Sequence, residues 1–206
     1  MPLILLVRHA ENDYTRKGRL AGRLSAVHLN QRGREQAQAL AQCLKKAPLK
    51  AVYSSPLERA METAEPLAQA HHLEVRIHNG LIELNYGEWE GKSLKGLRRL
   101  KLWRIVQHTP SLMQFPQGEM ILEAQYRITH ALHEIANRHG EGEWVVCVSH
   151  ADPIKLAIAH FLGMPLDAYQ RLSVGLASIN AIHLDHHGVR LVALNYSPTL
   201  LDVPDK

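Results

Sequence analysis

The chain has 206 residues, which suits one α/β domain or one domain with an insertion, and its hydrophobic content of 46% is enough for a sizeable core. The net charge is +4, but aromatic residues make up only 5% and do not alternate with the basic ones, so a nucleic-acid partner is not expected. No apolar run approaches the ~20 residues of a membrane-spanning helix, and the first residues lack the features of a signal peptide, so no membrane partner is expected either.

Short apolar runs alternate with helical patterns along the chain. The run 2–7 is nearly all apolar, as expected of a strand that is buried on both faces. The elements predicted after it are a helix over 31–46, a strand over 51–54, a helix over 56–71 with Ser55 as N-cap, an extended segment over 75–84, helices over 94–107 and 119–138, a strand over 144–148, a helix over 153–162, and strands over 177–184 and 189–194 around a turn at 186–188.

The order of these elements predicts the fold class. Strands that alternate with helices indicate an α/β fold with a mostly parallel sheet and helices on both faces. The last two strands are joined by a short turn, which predicts an antiparallel edge. No linker divides the chain, so we expect one domain over 1–206, with a lid or insertion over 87–118.

Cysteines and basic residues bear on the location and partners of the protein. Cys43 and Cys147 lie far apart and form no CxxC motif, so we interpret them as buried thiols in a reducing cytoplasm. Much of the positive charge lies in the stretch 16–34. That stretch predicts either a basic rim that steers an anionic substrate or an ordinary solvated surface, and the sequence leaves both open.

Polar side chains follow the predicted strands at the edge where an open parallel sheet binds ligands. Arg8 and His9 end the first strand, and Arg59 lies one turn into the helix after the second. Glu83 ends the third extended segment, and His150 follows the strand WVVCV. Two histidines, two arginines and one carboxylate are therefore expected to meet on one rim.

Such a set supports phosphoryl transfer through a covalent intermediate. A neutral imidazole attacks phosphorus without needing a metal. Arginine forks grip phosphate oxygens and neutralise their charge, and a second, protonated histidine can donate to the same oxygens. A carboxylic acid can protonate the leaving alkoxide and then act as base on the attacking water.

Four stretches resemble, in the right order, the motif blocks of the histidine phosphatase superfamily, also called the phosphoglycerate mutase-like family. They are LVRHAE, SSPLERAMETA, ELNYGEWEG and VVCVSHADPIK, and together the resemblance spans nearly the whole chain. The resemblance implies a three-layer α/β/α sandwich that uses neither a metal nor another cofactor.

The resemblance also assigns roles to matching positions. It makes His9 the phosphorylated nucleophile and Glu83 the proton donor, with Arg8, Arg59 and His150 binding the phosphoryl group. Two further substrate-binding positions follow from it: Thr15, where a phosphate-contacting Asn is common, and Ala151, where Gly is usual.

The chain departs from the family pattern at several positions without losing a catalytic group. Ala10 replaces Gly, Asn12 replaces Thr, Ala21 replaces Gln, and Met120 replaces Ser. The methyl groups of Ala10 and Ala151 are expected near the pocket, where they should reduce the space in which a ligand can approach the backbone.

The leading hypothesis is a phosphatase that hydrolyses a small phosphomonoester. The alternatives are a phosphomutase, whose branch usually carries a longer insertion after the acid block, and a phosphate-binding regulatory protein without turnover, which would not need Glu83. The sequence does not fix the phosphorylated metabolite, which could be a sugar phosphate, α-ribazole phosphate or phosphoglycerate. A homodimer is also left open.

The 14 histidines raise the question of a metal site. His130 and His133 are spaced i, i+3 on a predicted helix, and His183, His186 and His187 cluster around a turn. No nearby cysteine or carboxylate completes a recognisable ligand set, so no metal is expected.

Overall fold

The computed structural model describes residues 1–185 and 188–198, so His186 and His187 of the predicted turn lie outside the described residues. The strands are β1 (Leu3–Arg8), β2 (Leu49–Ser54), β3 (Val75–Ile77), β4 (Trp144–Ser149), β5 (Ile179–Asp185) and β6 (Gly188–Tyr196). The helices are α1 (Asp13–Arg16), α2 (Gln31–Leu44), α3 (Glu58–Ala70), α4 (Leu94–Leu97), α5 (Lys101–His108), α6 (Ile121–Ala136) and α7 (Ala151–Phe161).

The strands form one six-stranded sheet in the order β3-β2-β4-β1-β5-β6. Strands β3, β2, β4 and β1 are parallel to one another, whereas β5 pairs antiparallel with both β1 and β6. The mostly parallel sheet with an antiparallel edge is therefore confirmed. The parallel pairing also brings the carboxyl ends of β1, β2 and β4 to one edge.

Helices cover both faces of the sheet, which confirms the three-layer arrangement. Along β1, Ile4 and Leu6 pack into one core with residues of α6 and α7. Leu5 and Val7 point the other way and pack with residues of α2 and α3. Successive side chains of a strand point to opposite faces, so a continuous apolar run supplies both cores.

The extended segment expected over 75–84 is mostly not a strand. Strand β3 ends at Ile77, and a 3₁₀ turn follows over Asn79–Leu81. His78 Nδ1 accepts a hydrogen bond from the Gly80 amide at 3.2 Å, which stabilises this turn. Glu83 therefore lies in irregular chain and not at a strand end.

Three further expectations about helices need correction. The helix expected over 94–107 is split into α4 and α5, because the chain turns at 98–100. The helix expected from 56 begins at Glu58 with Leu57 as its N-cap. Ser55 is not that cap, because it lies two residues before Leu57; its hydroxyl accepts weakly from the Leu57 amide at 3.4 Å and contacts a histidine described below. Helix α1 was not predicted, and Asn12 and Thr15 form its capping box.

The two cysteines differ in burial. Cys147 on β4 is buried as expected, but Cys43 is exposed on α2, so that half of the expectation was wrong. The segment 87–118 buries Trp89, Leu97 and Phe115 in the core on the α6 and α7 side, and its role as a lid stays a prediction. Within 1–185 and 188–198, no helix is long and apolar enough to cross a membrane.

Candidate active site

The structure brings together the histidines and arginines predicted at the rim of the sheet. His9 follows β1 and His150 follows β4, and the His9 amide donates to the Ser149 carbonyl at 2.9 Å, which aligns the two strand ends. The centroids of the two imidazole rings lie 5.1 Å apart. Arg59 reaches this edge from the first turn of α3, and it is only 1% exposed although it carries a charge.

His9 is held in the tautomer that a nucleophile needs. Its Nδ1 lies 2.8 Å from the Ala10 carbonyl, which can only accept, so Nδ1 carries the proton and Nε2 keeps its lone pair. Burial and the charges of Arg59 and Arg8 hold the pKa of His9 well below its ordinary value. The neutral imidazole therefore predominates at neutral pH.

Helix α3 fixes the backbone beside this nucleophile. The Ala10 amide donates to Thr63 Oγ1 at 3.0 Å, and the Thr63 hydroxyl donates to the Arg59 carbonyl at 2.7 Å. Thr63 is fully buried. One helix thus holds both the cationic group and the chain next to His9.

His150 links Arg59 to the loop after β2. Arg59 Nη2 donates to the Gly22 carbonyl at 2.7 Å and lies 3.3 Å from His150 Nδ1. An arginine can only donate, so Nδ1 accepts and the proton sits on Nε2, which lies 2.8 Å from Ser55 Oγ. Burial and the charge of Arg59 lower the pKa of His150 well below its ordinary value, so the neutral form is favoured here rather than the protonated form expected.

Two guanidinium groups at the site keep donors for a ligand. Within the described part of the chain, Arg8 Nε and the Nε and Nη1 atoms of Arg59 are buried without a hydrogen-bond partner. Arg8 is held in place because its Nη1 donates to the Val174 carbonyl at 2.8 Å. Buried donors without a partner are costly, and an oxyanion would satisfy them.

Glu83 has the properties of an acid–base group. Its side chain is buried, and Oε1 accepts from the Leu84 amide at 2.9 Å. Burial and the nearby Asp152 carboxylate raise the pKa of Glu83 to about 7, against the opposing charges of Arg59 and Arg8. Both protonation states are therefore populated near neutral pH, as general acid–base catalysis requires.

Asp152, Tyr86 and Lys155 are site residues that the sequence reasoning missed. Tyr86 donates its hydroxyl proton to Asp152 Oδ2 at 2.7 Å, and Lys155 Nζ lies 2.8 Å from Asp152 Oδ1. Burial would raise the pKa of Asp152, but the Lys155 ammonium and the Tyr86 hydroxyl hold it below its ordinary value. All three residues stand within the motif blocks, yet spacing alone did not show that they pair.

Thr15 and Ala151 are the two remaining positions at which substrate binding is predicted. Thr15 Oγ1 accepts from the Asn12 amide and donates to the Asn12 carbonyl at 2.8 Å, so its proton is directed at the backbone of α1. Ala151 is the first residue of α7 and is half-buried beside His150. Their contacts with substrate stay predictions.

The histidines outside this site were considered as metal ligands. Across 1–185 and 188–198, no three His, Cys, Asp or Glu side chains are grouped closely enough to hold a metal ion. His130 Nδ1 lies 3.7 Å from Glu134, and His133 packs against the ring of Phe161. Metal independence of the reaction stays a prediction.

A sequence model of the histidine phosphatase superfamily (branch 1) matches residues 4–197. The chain belongs to this superfamily. This histidine phosphatase is 32% identical over 197 residues to phosphoserine phosphatase 1 of Hydrogenobacter thermophilus, covering 95% of this chain and 92% of the relative. It is 31% identical over 186 residues to a 2,3-bisphosphoglycerate-dependent phosphoglycerate mutase of Thermoplasma acidophilum, covering 90% and 88%.

Solved structures show the same relationship. A mycobacterial glucosyl-3-phosphoglycerate phosphatase, solved in complex with VO3, is 27% identical and superposes with a TM-score of 0.87 over 96% of this chain and 100% of that one. The predicted family and fold are thus confirmed. The phosphatase relatives support phosphatase activity in general for this histidine phosphatase.

The raised pKa of Glu83 predicts a pH-dependent effect on stability. The pKa of Glu83 rises on folding, so the protonated carboxyl stabilises the folded state. This stabilisation is complete below pH about 4.5, the ordinary pKa, and is lost as pH rises through about 7. Glutamine never ionises, so the free energy of unfolding of Glu83→Gln, taken relative to that of the native protein, should rise by about 3 kcal/mol between pH 5 and pH 8.5. Denaturant unfolding at both pH values measures the difference. The exposed Glu88→Gln serves as control, and a Glu83→Gln effect that is equal at both pH values would contradict the assignment.

Proposed function

We propose that this protein hydrolyses a small phosphomonoester through a phosphohistidine on Nε2 of His9. The observation that carries the proposal is the hydrogen bond from His9 Nδ1 to the Ala10 carbonyl. It leaves Nε2 with a lone pair, in a buried site where Arg8 and Arg59 hold donors without a described partner.

The first step transfers the phosphoryl group to the enzyme. Nε2 of His9 forms a bond to phosphorus as the bond from phosphorus to the ester oxygen breaks, and the carboxylic acid of Glu83 protonates that oxygen. Arg8 and Arg59 neutralise the charge on the equatorial oxygens, where it is spread in the transition state. The protein releases an alcohol and keeps a phosphohistidine.

The second step returns the enzyme to its starting state. Glu83, now a carboxylate, takes a proton from water, and the water oxygen attacks phosphorus as the bond to His9 breaks. Inorganic phosphate leaves, and both His9 and the protonated Glu83 are restored. An acid with a pKa of about 7 serves both steps at neutral pH.

His150 is proposed to change protonation state when the substrate binds. Its pKa is lowered by burial and then by the charges of Arg59 and Arg8. A phosphate dianion among these groups opposes that effect, which favours the imidazolium form. His150 would then donate to a phosphate oxygen as the sequence predicts.

The substrate proposed first is an alkyl phosphomonoester of the phosphoserine type. The Hydrogenobacter relative is named as a phosphoserine phosphatase, and the mycobacterial neighbour as a glucosyl-3-phosphoglycerate phosphatase. Both substrates are esters of aliphatic alcohols, which leave poorly unless protonated. The buried acid Glu83 fits that requirement.

The test is a panel of phosphomonoesters assayed with and without 2,3-bisphosphoglycerate, and repeated in EDTA. The panel contains phosphoserine, glucosyl-3-phosphoglycerate, 3-phosphoglycerate, α-ribazole phosphate and a sugar phosphate. We expect phosphate release that needs neither the bisphosphate nor a metal. Isomerisation of phosphoglycerate that depends on the bisphosphate would instead establish the mutase alternative, which the Thermoplasma relative favours.

The proposed role of Arg59 in binding the transition state predicts that its loss affects vanadate more than phosphate. Vanadate can form a five-coordinate adduct on His9, so it gains most from groups that bind the transition state best. Arg59→Ala should weaken vanadate inhibition by roughly tenfold more than it weakens inhibition by phosphate. Inhibition constants for both anions measure this, with the exposed Arg98→Ala as control. Equal weakening would reduce Arg59 to a general anion binder.

A further inference from the structure

The segment that carries Glu83 has little regular structure of its own. It runs from the 3₁₀ turn Asn79–Leu81 to a second one at Gly87–Trp89, and we call residues 82–90 the acid loop. Buried backbone carbonyls need donors, and an irregular segment cannot supply them internally. The position of the Glu83 carboxyl therefore depends on what surrounds the acid loop.

Arg127 of α6 supplies donors from one side. Its Nη1 donates to the carbonyls of Gly80 and Ile82 at 3.1 and 2.7 Å, and its Nη2 lies 3.4 Å from the Glu83 carbonyl. Arg23 approaches from a different part of the chain, and its Nε donates to the same Glu83 carbonyl at 2.8 Å. Two guanidinium groups thus converge on the backbone of the acid residue.

Glu119 joins these two cations. Both of its carboxylate oxygens lie 3.1 Å from Arg23 Nη2, and Oε1 lies 2.9 Å from Arg127 Nη2. Oε1 also accepts from the Asn85 amide at 2.9 Å, and the Glu119 amide donates to the Asn85 carbonyl at 3.0 Å. The three side chains are no more than 29% exposed, which limits screening of their charges by water.

The acid loop also packs directly on the backbone before Glu119. The Glu88 amide donates to the Pro116 carbonyl at 2.9 Å. Gly87 adopts a φ of +54°, and a Cβ at this position would collide with that carbonyl. The acid loop therefore packs in one well-defined position, between the backbone at Pro116 and the Arg23–Glu119–Arg127 cluster.

We propose that Arg23, Glu119 and Arg127 are positioning residues that hold the Glu83 carboxyl against the leaving-group oxygen. The inference rests on the proposed function, because it assigns the cluster to the acid step. Arg127 Nη1 and Arg23 Nε donate to backbone carbonyls at or just before the acid loop, and the Nη2 atoms of both arginines bind Glu119. Through these contacts the cluster acts on the geometry of Glu83.

The test replaces Arg127 with methionine, which keeps the apolar stem and removes every donor. A misplaced acid should lower kcat/KM for phosphoserine, which reports the phosphorylation step, by on the order of 10- to 100-fold. The kcat/KM for nitrophenyl phosphate, whose leaving group needs little protonation, should stay within about threefold of the native value, and so should the inhibition constant of vanadate. Arg138→Met, an exposed position just after α6, is the matched control.

A second variant and a second readout keep the test independent of folding and of turnover. Glu119→Gln is nearly isosteric and should shift the ratio of the two esters in the same direction. Titration of the Glu83 carboxyl by ¹³C NMR should show its pKa falling toward the ordinary value in Arg127→Met, because the released carboxyl meets water; loss of a neighbouring cation alone would raise that pKa. Equal losses on both esters, or a pKa of Glu83 that rises or stays unchanged, would overturn the positioning role. Failure of the native protein to hydrolyse either ester would instead refute the proposed function, and the titration would still decide the positioning role.

Discussion

His9→Ala is expected to lower kcat/KM for every phosphomonoester by roughly 10⁴- to 10⁶-fold, because the variant has no nitrogen to accept the phosphoryl group. Rapid quenching of the native enzyme with ³²P-labelled substrate should trap a covalent label that is stable to base and labile to acid, as phosphohistidine is. The variant should give no label.

The His9 experiment needs a control for the loss of any imidazole. His130 is exposed on α6, outside both the motif blocks and the predicted lid, so His130→Ala should keep native turnover and labelling. Vanadate should also lose affinity for His9→Ala, since its apical bond to Nε2 cannot form. Near-native turnover by His9→Ala would show that the mechanism is wrong.

Glu83→Gln should lower kcat/KM for alkyl phosphates far more than kcat/KM for nitrophenyl phosphate. Glutamine cannot protonate an alkoxide, but nitrophenolate leaves without much help. We expect kcat/KM for phosphoserine, which reports the phosphorylation step, to fall ~100- to 10,000-fold, which is the usual contribution of a general acid. On nitrophenyl phosphate, the phosphorylation step should be nearly unaffected.

The pH profile gives a second measurement on the same variant. The acid must be protonated for the first step, so kcat/KM for phosphoserine should fall as pH rises above about 7 in the native enzyme. His9 stays neutral until well below its ordinary pKa, so its protonation should limit the rate only at lower pH. The basic limb should vanish in Glu83→Gln and persist in Glu88→Gln. Equal losses on both substrates would leave Glu83 with a purely positioning role.

Much of this fold could be predicted because local and global signals agree. The apolar runs of β1 and β4 are buried on both faces, and the parallel pairing then places His9 and His150 side by side. Arg59 follows β2 at the same edge. For these residues, strand order alone fixes the neighbourhood.

The acid loop could not be predicted in the same way, since tertiary contacts determine its course. Residues 82–86 have no periodicity that distinguishes them from a strand, and Arg127 and Arg23 hold them from distant parts of the chain. Ser55 shows the opposite error, because it follows a strand and precedes Pro56 as an N-cap would. The helix begins later, at Glu58, and the closest partner of the Ser55 hydroxyl is His150. Local propensity cannot reveal a partner that lies 95 residues away.

The basic stretch 16–34 contains a solvated surface residue, as one of the two alternatives expected, and a residue whose role was not foreseen. Arg16 is exposed and pairs with Asp13 on the surface. Arg23 instead points inward to the acid loop and Glu119. Sequence charge counts cannot make this distinction, because they do not show which guanidinium meets a carbonyl.

The position of β1 has a consequence for how the enzyme is made. Both neighbours of β1 come much later in the chain: β4 begins at Trp144, and β5 begins at Ile179. A nascent chain therefore exposes β1 as an open edge, where the Arg8 amide still lacks the Ser178 carbonyl that it binds at 3.1 Å. Such long-range pairing folds slowly and invites association of incomplete chains. Arg8 and His9, the first site residues to be synthesised, are among the last to gain their surroundings, so a ribosome-bound chain stalled before Ile179 should bind no vanadate.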